Sequence, residues 1–202
     1  CIYPVNFTVP FSEDNILSAK LEPTNEGYAL SKIYALKSCE FISKESKLNY
    51  KSIIPCNLYG PYDDFNSETS HMIPGAIAKI HNSKKANNDS VTIWGTGKVR
   101  REFMYIRDFI DFLYFSIKKF ELIPNVLNVG MGYDNSIEDY YKTIFKVIKY
   151  RGKINYDLTK PDGIKRKLMD ISNLKRLNWQ AKTSLSEGIN STYKYFLDKH
   201  EK

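Results

Sequence analysis

Residues 21–61 contain the stretch that decides the fold: LEPTNEGYALSK at 21–32, SIIP at 52–55 and NLYGP at 57–61. Apolar residues at helical spacing, among them Ala29, Ile33 and Leu36, predict a helix from Asn25 to about Lys47. The SIIP segment predicts a short buried strand, and NLYGP predicts the turn after it. A helix followed by a buried strand in this order predicts a parallel α/β sheet.

Tyr28 and Lys32 lie four residues apart on the predicted helix, so their side chains share one face. A free tyrosine has a pKa near 10, and a neighbouring ammonium favours the phenolate. Such a pair can protonate an alkoxide while hydride reaches the carbonyl carbon. The same spacing recurs at three other places, so the spacing alone is weak evidence; these are Tyr114/Lys118, Tyr156/Lys160 and Tyr195/Lys199.

The rest of the chain alternates between predicted strands and helices. We expect helices at about 71–81, 108–120, 136–152, 173–177 and 186–200, and strands at 91–94, 126–130 and 153–157. Gly95-Thr96-Gly97 predicts a tight turn after one strand. Ser136 and Asp139 predict a capping box.

Composition excludes several classes of protein. The chain has 202 residues, 42% of them hydrophobic, which is enough for a folded core. Nothing in these residues resembles a signal peptide, no apolar run approaches the length of a membrane span, and three cysteines without a C-x-x-C motif argue against zinc. We expect no metal, no membrane association and a cytoplasmic location. The net charge of +7 is compatible with phosphorylated ligands or nucleic acid, although many lysines are expected to be solvated surface residues.

A set of short segments occurs in a fixed order along the whole chain: CIYP at 1–4, the Tyr28–Lys32 pair, PCNLYGP at 55–61, SHMIP at 70–74, WGTG at 94–97, RREF at 100–103, NVG at 128–130, KPDG at 160–163 and RKL at 166–168. Their order resembles that of the extended short-chain dehydrogenases/reductases, and within them the GDP-L-fucose synthase family.

This resemblance implies an NADPH-dependent epimerase-reductase that converts GDP-4-keto-6-deoxy-D-mannose to GDP-L-fucose. It assigns inversion at carbons 3 and 5 to Cys1 and His71, whose side-chain types titrate near neutrality. It assigns reduction at carbon 4 to Tyr28 and Lys32. Isolated His or Cys residues are more often structural, and we expect that of Cys39 and Cys56, with His81 and His200 at the surface.

The resemblance also implies two sets of binding residues. The cofactor set is Lys32, Pro55, Cys56, Asn57, Leu58 and His71. The substrate set is Lys79, Trp94, Arg101, Asp162 and Lys167. Lys79 stands where the family often has arginine, so it keeps the charge without the bidentate geometry. Trp94 fits a base or ribose, and a buried core position is the alternative for it.

No glycine-rich G-x-x-G-x-x-G motif occurs in these 202 residues. We therefore expect residues 1–57 to be the C-terminal part of a Rossmann-type NADP-binding domain. Residues 58–202 are expected to form mainly a smaller α/β substrate-binding domain, with some segments returning to the Rossmann sheet. The segments that hold the glycine-rich motif and a catalytic serine in the family would precede Cys1, so this chain alone is expected to be inactive.

Two alternatives stay open. One is another extended reductase, such as a nucleotide-sugar 4-epimerase or dehydratase, which would have no need of a Cys/His pair. The other is a non-catalytic basic nucleotide- or RNA-binding domain, although no basic–aromatic stripe is present and we expect no nucleic-acid partner. Apolar residues beyond the stripe of the 25–47 helix, namely Tyr34, Leu36, Phe41 and Ile42, lead us to expect a homodimer.

Overall fold

The computed structural model describes residues 1–5 and 9–200, and it is an α/β protein. The helices are α1 Glu26–Ser46, α2 Met72–Lys85, α3 Ile106–Lys118, α4 Ile137–Ile148, α5 Ser172–Arg176 and α6 Leu185–His200. The strands are β1 Ser52–Pro55, β2 Asn57–Tyr59, β3 Ser90–Trp94, β4 Arg100–Arg101, β5 Phe103–Tyr105, β6 Val126–Val129, β7 Asn135–Ser136, β8 Lys153–Asp157 and β9 Arg166–Lys167.

Strand pairing is mostly parallel, as the helix–strand order predicted. β1 pairs with β6, β2 with β5 and β3 with β8, each in parallel. The short strand β4 lies between β7, which is antiparallel to it, and β9, which is parallel to it. Each parallel pair requires a long crossover, and the helices supply most of these connections.

Apolar residues form three buried clusters. The largest packs α2, α4 and α6 around β3, with side chains such as Ile77, Ile93 and Ile144 almost fully buried. A second surrounds β6 and α3 and includes Phe112 and Leu127. The third joins the start of the chain to α1. Each fully buried side chain of this size contributes roughly 1.5–3 kcal/mol, so these clusters hold the site-bearing loops in place.

Several element boundaries differ from the sequence prediction. Residues 57–59 are strand β2 rather than a turn, because they pair with β5, which lies more than forty residues later. Helix α4 ends at Ile148 rather than near Gly152, because Lys149 takes a left-handed conformation with φ 57°. On α1 the exposed apolar side chains include Tyr34, Phe41 and Ile42, whereas Leu36 is buried with Ala29 and Ile33.

His81 was expected at the surface and is buried. It lies on the inner face of α2 with Ile73, Ile77 and Ile80. Its Nδ1 atom is 3.0 Å from the Tyr193 hydroxyl, and its ring packs against Phe196. The surface prediction was therefore wrong for His81, while His200 is exposed as expected.

Candidate functional site

Tyr28 and Lys32 share one face of α1, as predicted. The Lys32 ammonium lies 5.3 Å from the centre of the Tyr28 ring. Tyr28 is 59% exposed, while its neighbours Ala29 and Ile33 are buried. Among the residues that the structure describes, none forms a hydrogen bond with the Tyr28 hydroxyl. The hydroxyl is therefore available to a ligand, with a cation beside it.

Cys1 is exposed, and the two residues after it fix the chain against the rest of the protein. Ile2 is buried with Leu21, Ala29 and Ile33, the last two on α1. The Tyr3 ring stacks on another aromatic ring with a centroid distance of 5.2 Å, and its hydroxyl donates a hydrogen bond to Asn128. Burial raises the pKa of Tyr3 well above its usual value, so it stays neutral. Cys1 therefore begins a segment that is docked on the helix bearing Tyr28.

His71 precedes the first residue of α2 as its N-cap. Its imidazole makes no capping hydrogen bond and is largely exposed. The Nδ1 atom lies 3.5 Å from a carboxylate oxygen of Asp63, in the loop between β2 and α2. Within the described part of the chain, the Nε2 atom has no hydrogen-bond partner. His71 therefore lies beside acids of the loop between β2 and α2.

The predicted cofactor segment lies at the carboxyl end of a parallel strand. Pro55 is the last residue of β1, Cys56 follows it, and Asn57 and Leu58 begin β2. In parallel α/β sheets, ligands bind outside the carboxyl ends of strands, so this position fits a cofactor. Burial, and second the nearby carboxylate of Glu102, raise the pKa of the Cys56 thiol well above its usual value. A neutral, desolvated thiol agrees with a structural role for Cys56.

Strands β4 and β9 present four cations, and one acid divides them into two pairs. In the parallel register, Arg100 lies opposite Arg166 and Arg101 lies opposite Lys167. The buried Asp134 accepts hydrogen bonds from Arg100 Nε at 2.7 Å and from Arg166 Nε at 2.5 Å. Since side chains alternate along a strand, Arg101 and Lys167 point to the opposite face.

Arg101 and Lys167 have no such neutralisation. Among the described residues, neither forms a salt bridge. Desolvation lowers the pKa of Arg101, and desolvation together with the charge of Arg101 lowers the pKa of Lys167, which Glu22 partly opposes. Two close, partly desolvated cations that form no salt bridge with the described residues favour a bound anion.

The loop between β8 and β9 completes the surroundings of Arg101. Its Nη1 atom donates to the carbonyl oxygens of Arg100 at 2.8 Å and Ile164 at 2.7 Å. Asp162, two residues before Ile164, accepts from the Thr96 amide at 2.6 Å and the Thr96 hydroxyl at 2.8 Å. The WGTG turn and the KPDG turn are therefore bound to each other, beside the guanidinium of Arg101.

Gly95 makes this contact possible. Its φ is +68°, which side chains rarely tolerate, and a Cβ atom there would collide with the Asp162 carboxylate. The preceding residue, Trp94, is 70% exposed, and the Lys160 ammonium lies 5.6 Å from its ring centre. An exposed indole on this rim fits a stacking surface for a base. The alternative of a buried core tryptophan was wrong.

Lys79 is exposed and already has one backbone partner. Its ammonium on α2 donates a hydrogen bond of 2.7 Å to the backbone carbonyl of Thr92 on β3. Partial burial lowers its pKa. Lys79 thus ties α2 to the strand that ends at Trp94, and it retains further N–H groups for a ligand.

Glu102 supports the candidate site from within the core, and the sequence analysis does not single it out. It is 1% exposed, although it follows two arginines. Its Oε1 atom accepts from the amides of Met131 at 2.6 Å and Gly132 at 2.8 Å, and its Oε2 atom accepts from Met169 at 2.9 Å. Burial raises its pKa. Glu102 therefore joins the ends of β6 and β9 to β4, directly beside Arg101.

Gly130 lets Glu102 reach the loop after β6. A Cβ atom at Gly130 would lie 2.5 Å from Glu102 Oε1. The NVG and RREF segments are thus packed together through a glycine and an acid. The sequence contains a signal for this position of Glu102, which lies between two arginines and the apolar strand β5. Because side chains alternate along an extended chain, the side chain of Glu102 is expected on the face opposite to that of Arg101.

Lys167 also connects the two halves of the candidate site. Hydrogen bonds from Thr24 and Asn25, and more weakly the charge of Lys167, lower the pKa of Glu22. Glu22 caps the short 3₁₀ helix Pro23–Asn25 that leads into α1. The Lys167 ammonium is also close enough for its charge to act at the backbone nitrogen of Cys1. Lys167 therefore lies near the entry to the Tyr28 helix and near Cys1.

Within residues 1–5 and 9–200, no helix has both the length and the apolar character needed to cross a membrane. In the same part of the chain, no group of three or more His, Cys, Asp or Glu side chains is arranged to hold a metal ion.

Comparisons with known proteins agree with the α/β fold. Residues 1–130 match the model of the NAD dependent epimerase/dehydratase family. The chain is 47% identical over 199 residues to the GDP-L-colitose synthase of Yersinia pseudotuberculosis, covering 98% of this chain and 65% of that protein. It is 45% identical over 201 residues to the GDP-L-fucose synthase of Azorhizobium caulinodans, covering 100% of this chain and 64% of that protein.

A solved structure extends the similarity to three dimensions. The GDP-D-glycero-L-gluco-heptose synthase from Campylobacter jejuni, crystallised in the presence of NADPH, superposes with a TM-score of 0.86 at 26% identity. The superposition covers 98% of this chain and 67% of that chain. The chain thus spans about two-thirds of the length of these relatives.

Proposed function

Since the chain belongs to the NAD dependent epimerase/dehydratase family, we propose that the whole protein is an NADPH-dependent epimerase-reductase acting on a GDP-linked 4-keto sugar. Its proposed substrate is GDP-4-keto-6-deoxy-D-mannose and its product is GDP-L-fucose, the reaction indicated by the name of the relative from Azorhizobium caulinodans. We propose residues 1–57 as part of the NADP-binding domain and residues 58–202 mainly as the substrate domain, in a cytoplasmic homodimer.

The observation that carries this proposal is the unneutralised pair Arg101 and Lys167. Asp134 neutralises the two other cations of the same strands, so the chain leaves one cationic face open. The pyrophosphate group of a GDP-linked sugar carries two negative charges, one for each of the Arg101 and Lys167 side chains. Charge-assisted hydrogen bonds to such a group contribute about 1.5–3 kcal/mol each. The exposed Trp94 ring and the Asp162 carboxylate on the same rim fit the base and the ribose hydroxyls.

The two chemical steps need different residues. Hydrogens beside a ketone are acidic, and inversion of such a carbon requires removal of a proton from one face and its return on the other. We assign these transfers to Cys1 and His71. NADPH supplies a hydride to carbon 4 when bound. The Tyr28 hydroxyl then donates its proton to the developing alkoxide oxygen, and the Lys32 ammonium stabilises the tyrosinate left behind.

The residues of this chain fit the nicotinamide end of such a cofactor. The Tyr28–Lys32 pair lies on α1, and Pro55, Cys56, Asn57 and Leu58 lie at the carboxyl end of β1. We propose that Lys32 also contacts the nicotinamide ribose, and that His71 borders the same space. The phosphates require the glycine-rich motif, which these residues do not include.

A second candidate follows from the 47% identity to a GDP-L-colitose synthase. Colitose has hydrogen in place of the carbon 3 hydroxyl of fucose, so an enzyme forming it inverts carbon 5 without a hydroxyl at carbon 3. Both reactions use the same reduction at carbon 4. The described contacts support either sugar, because they lie on the nucleotide side.

The deciding experiment uses a protein of the full length of its relatives. It is incubated with NADPH and either GDP-4-keto-6-deoxy-D-mannose or its 3-deoxy analogue, and the products are separated and identified. GDP-L-fucose formation supports the first candidate, and turnover of the 3-deoxy sugar alone supports the second. Consumption of a UDP-sugar without net NADPH oxidation would instead support a 4-epimerase and contradict both.

The cationic face formed by Arg101 and Lys167 can be tested separately. We expect Arg101→Gln to weaken GDP binding about 10- to 100-fold, the equivalent of one charge-assisted hydrogen bond. Lys98→Gln removes a charge from the neighbouring turn without touching this face, and it serves as the matched control. Equal affinity for GDP in the two variants, measured by calorimetry, would contradict the assignment of Arg101.

A further inference from the structure

The acids beside His71 indicate how its imidazole is oriented for proton transfer, an inference that rests on the proposed function. We propose that Asp63 is a positioning residue for His71, which fixes the imidazole with Nδ1 protonated and Nε2 directed to the sugar. The Asp63 carboxylate lies 3.5 Å from His71 Nδ1. The acid is only 17% exposed and the imidazole 81% exposed, so the carboxylate is the fixed member of the pair.

The environment of His71 makes such a partner necessary. His71 is the N-cap of the 14-residue helix α2, where the helix dipole disfavours a cation. Its side chain takes no part in capping, so no backbone amide orients the ring. An imidazole that must carry a proton between solvent and substrate needs both a defined orientation and compensation of its charge. Asp63 supplies both.

The loop between β2 and α2 holds Asp63 in place. The Asp63 carboxylate accepts a hydrogen bond of 2.9 Å from the amide of Asp64, which fixes its rotamer. Aromatic contacts anchor the loop to α6 on both sides of this acid. The Tyr62 ring lies 4.8 Å from that of Tyr195, and the Phe65 ring lies 5.1 Å from that of Phe196.

Asp64 faces the same histidine but is engaged elsewhere. It accepts hydrogen bonds from the Thr69 hydroxyl and from the Asn66 amide, the latter at 2.9 Å. These bonds, and more weakly the charge of His71, lower the pKa of Asp64. Asp64 thus contributes charge at a distance, whereas Asp63 makes the contact. This difference in role predicts that the two acids respond differently to substitution.

An N–H at Nδ1 that donates to Asp63 leaves Nε2 as the atom that exchanges protons. With Nε2 unprotonated, His71 accepts a proton from the carbon beside the ketone. With Nε2 protonated, it returns one. Free imidazole side chains have no such imposed tautomer, so the tautomer itself is a signature of the Asp63 contact.

The test compares Asp63→Asn with Glu68→Gln, an exposed acid of the same loop, in a protein of the full length of its relatives. ¹⁵N NMR of the histidine side chains reads the tautomer in the resting protein, and the buried His81 reports that the fold is intact. Solvent deuterium incorporation beside the ketone reads proton transfer. Oxidation of GDP-L-fucose by NADP⁺ reads the carbon 4 step alone.

We expect Asp63→Asn to lose the Nδ1–H tautomer of His71 and to slow deuterium incorporation at least tenfold. The upper limit is the roughly 10⁴-fold loss that follows removal of the orienting aspartate in a Ser-His-Asp triad. Initial hydride transfer from GDP-L-fucose and the KM for that sugar should change less than twofold. Glu68→Gln should alter none of these readouts.

An unchanged His71 tautomer in Asp63→Asn, or a loss of exchange equal to that in Glu68→Gln, would overturn the proposal. If the unsubstituted protein neither exchanges nor reduces the GDP-keto sugar, the proposed function fails instead. The tautomer measurement still decides the Asp63–His71 contact in that case, because it needs no substrate. The two failures are therefore distinguishable.

Discussion

Replacing Tyr28 by phenylalanine removes one hydroxyl group from the exposed side of α1 and leaves its ring in place. The hydroxyl makes no hydrogen bond with the described residues, and the ring is 59% exposed. The free energy of unfolding should therefore change by less than about 0.5 kcal/mol, as for other surface substitutions. The contact of the ring with Lys32 is also retained. Any loss of reduction then reports the missing proton donor.

We expect reduction at carbon 4 to fall about 10²- to 10⁴-fold, the usual range for a general acid. This corresponds to a rise in the activation free energy of about 2.7–5.4 kcal/mol. Deuterium exchange beside the ketone should persist, since Cys1 and His71 are unchanged. Single-turnover NADPH oxidation and exchange monitored by mass spectrometry measure the two steps separately, in a protein of the full length of its relatives.

Tyr114→Phe is the matched control for this substitution. Tyr114 is 65% exposed on α3 and has Lys118 four residues later, so it reproduces the spacing and the exposure of Tyr28. It should retain full activity. Equal loss of exchange and reduction in Tyr28→Phe would refute the separation of roles, and an equal loss in Tyr114→Phe would show that the effect is not specific to the first pair.

Three further predictions follow from the charges and surfaces described above. The 202-residue chain alone should bind GDP more tightly than NADPH in calorimetry and should not turn over; NADPH affinity equal to that of a complete reductase would contradict this. Asp134→Asn should lower the free energy of unfolding, measured by urea titration, by about 3 kcal/mol. This value is near the lower limit for a broken buried ion pair, because both arginines are partly exposed. Glu138→Gln breaks a more exposed ion pair and should cost under about 1 kcal/mol in the same assay. Burial of the Asp134 carboxylate raises its pKa, but its bonds to the two arginines outweigh burial, so the pKa is lowered overall. The contribution of Asp134 to the free energy of unfolding is therefore present above about pH 4 and is lost as the pH falls through the folded-state pKa. Asp134→Asn should lack this loss of stability in acid. Tyr34→Glu on the exposed side of α1 should convert a dimer to a monomer in light scattering, and Tyr114→Glu on α3 should not.

Features set by neighbouring residues were predictable from the sequence. The shared face of Tyr28 and Lys32 depends only on helical geometry, and the contact between them confirms it. The Ser136–Asp139 capping box is present, because both of its bonds form within one turn. Gly95 adopts the positive φ that the turn after β3 requires. Because the motifs together resemble those of one family, these local predictions could be extended to the whole fold.

Features set by distant pairing were not predictable in the same way. The local sequence of 57–59 predicts a turn, and only its partner strand β5 makes it a strand. The buried position of Glu102 depends on three amides that lie 29 to 67 residues away along the chain. His81 is a different case, because its spacing from Ile73 and Ile77 already places it on the apolar face of α2. Its helical position thus indicates burial, although its residue type is polar.

The division of charge on β4 and β9 shows why net charge is a poor guide to a binding site. The chain carries +7, and four of its cations stand on two adjacent two-residue strands. Their residue types alone do not separate them. Asp134 reaches only the face that holds Arg100 and Arg166, so the excess charge is concentrated on the face of Arg101 and Lys167. Since both cations there are also partly desolvated, an anion gains more from them than from the exposed lysines elsewhere. The position of the acid that forms the salt bridges, rather than the number of bases, therefore determines where the phosphates of a ligand are expected to bind.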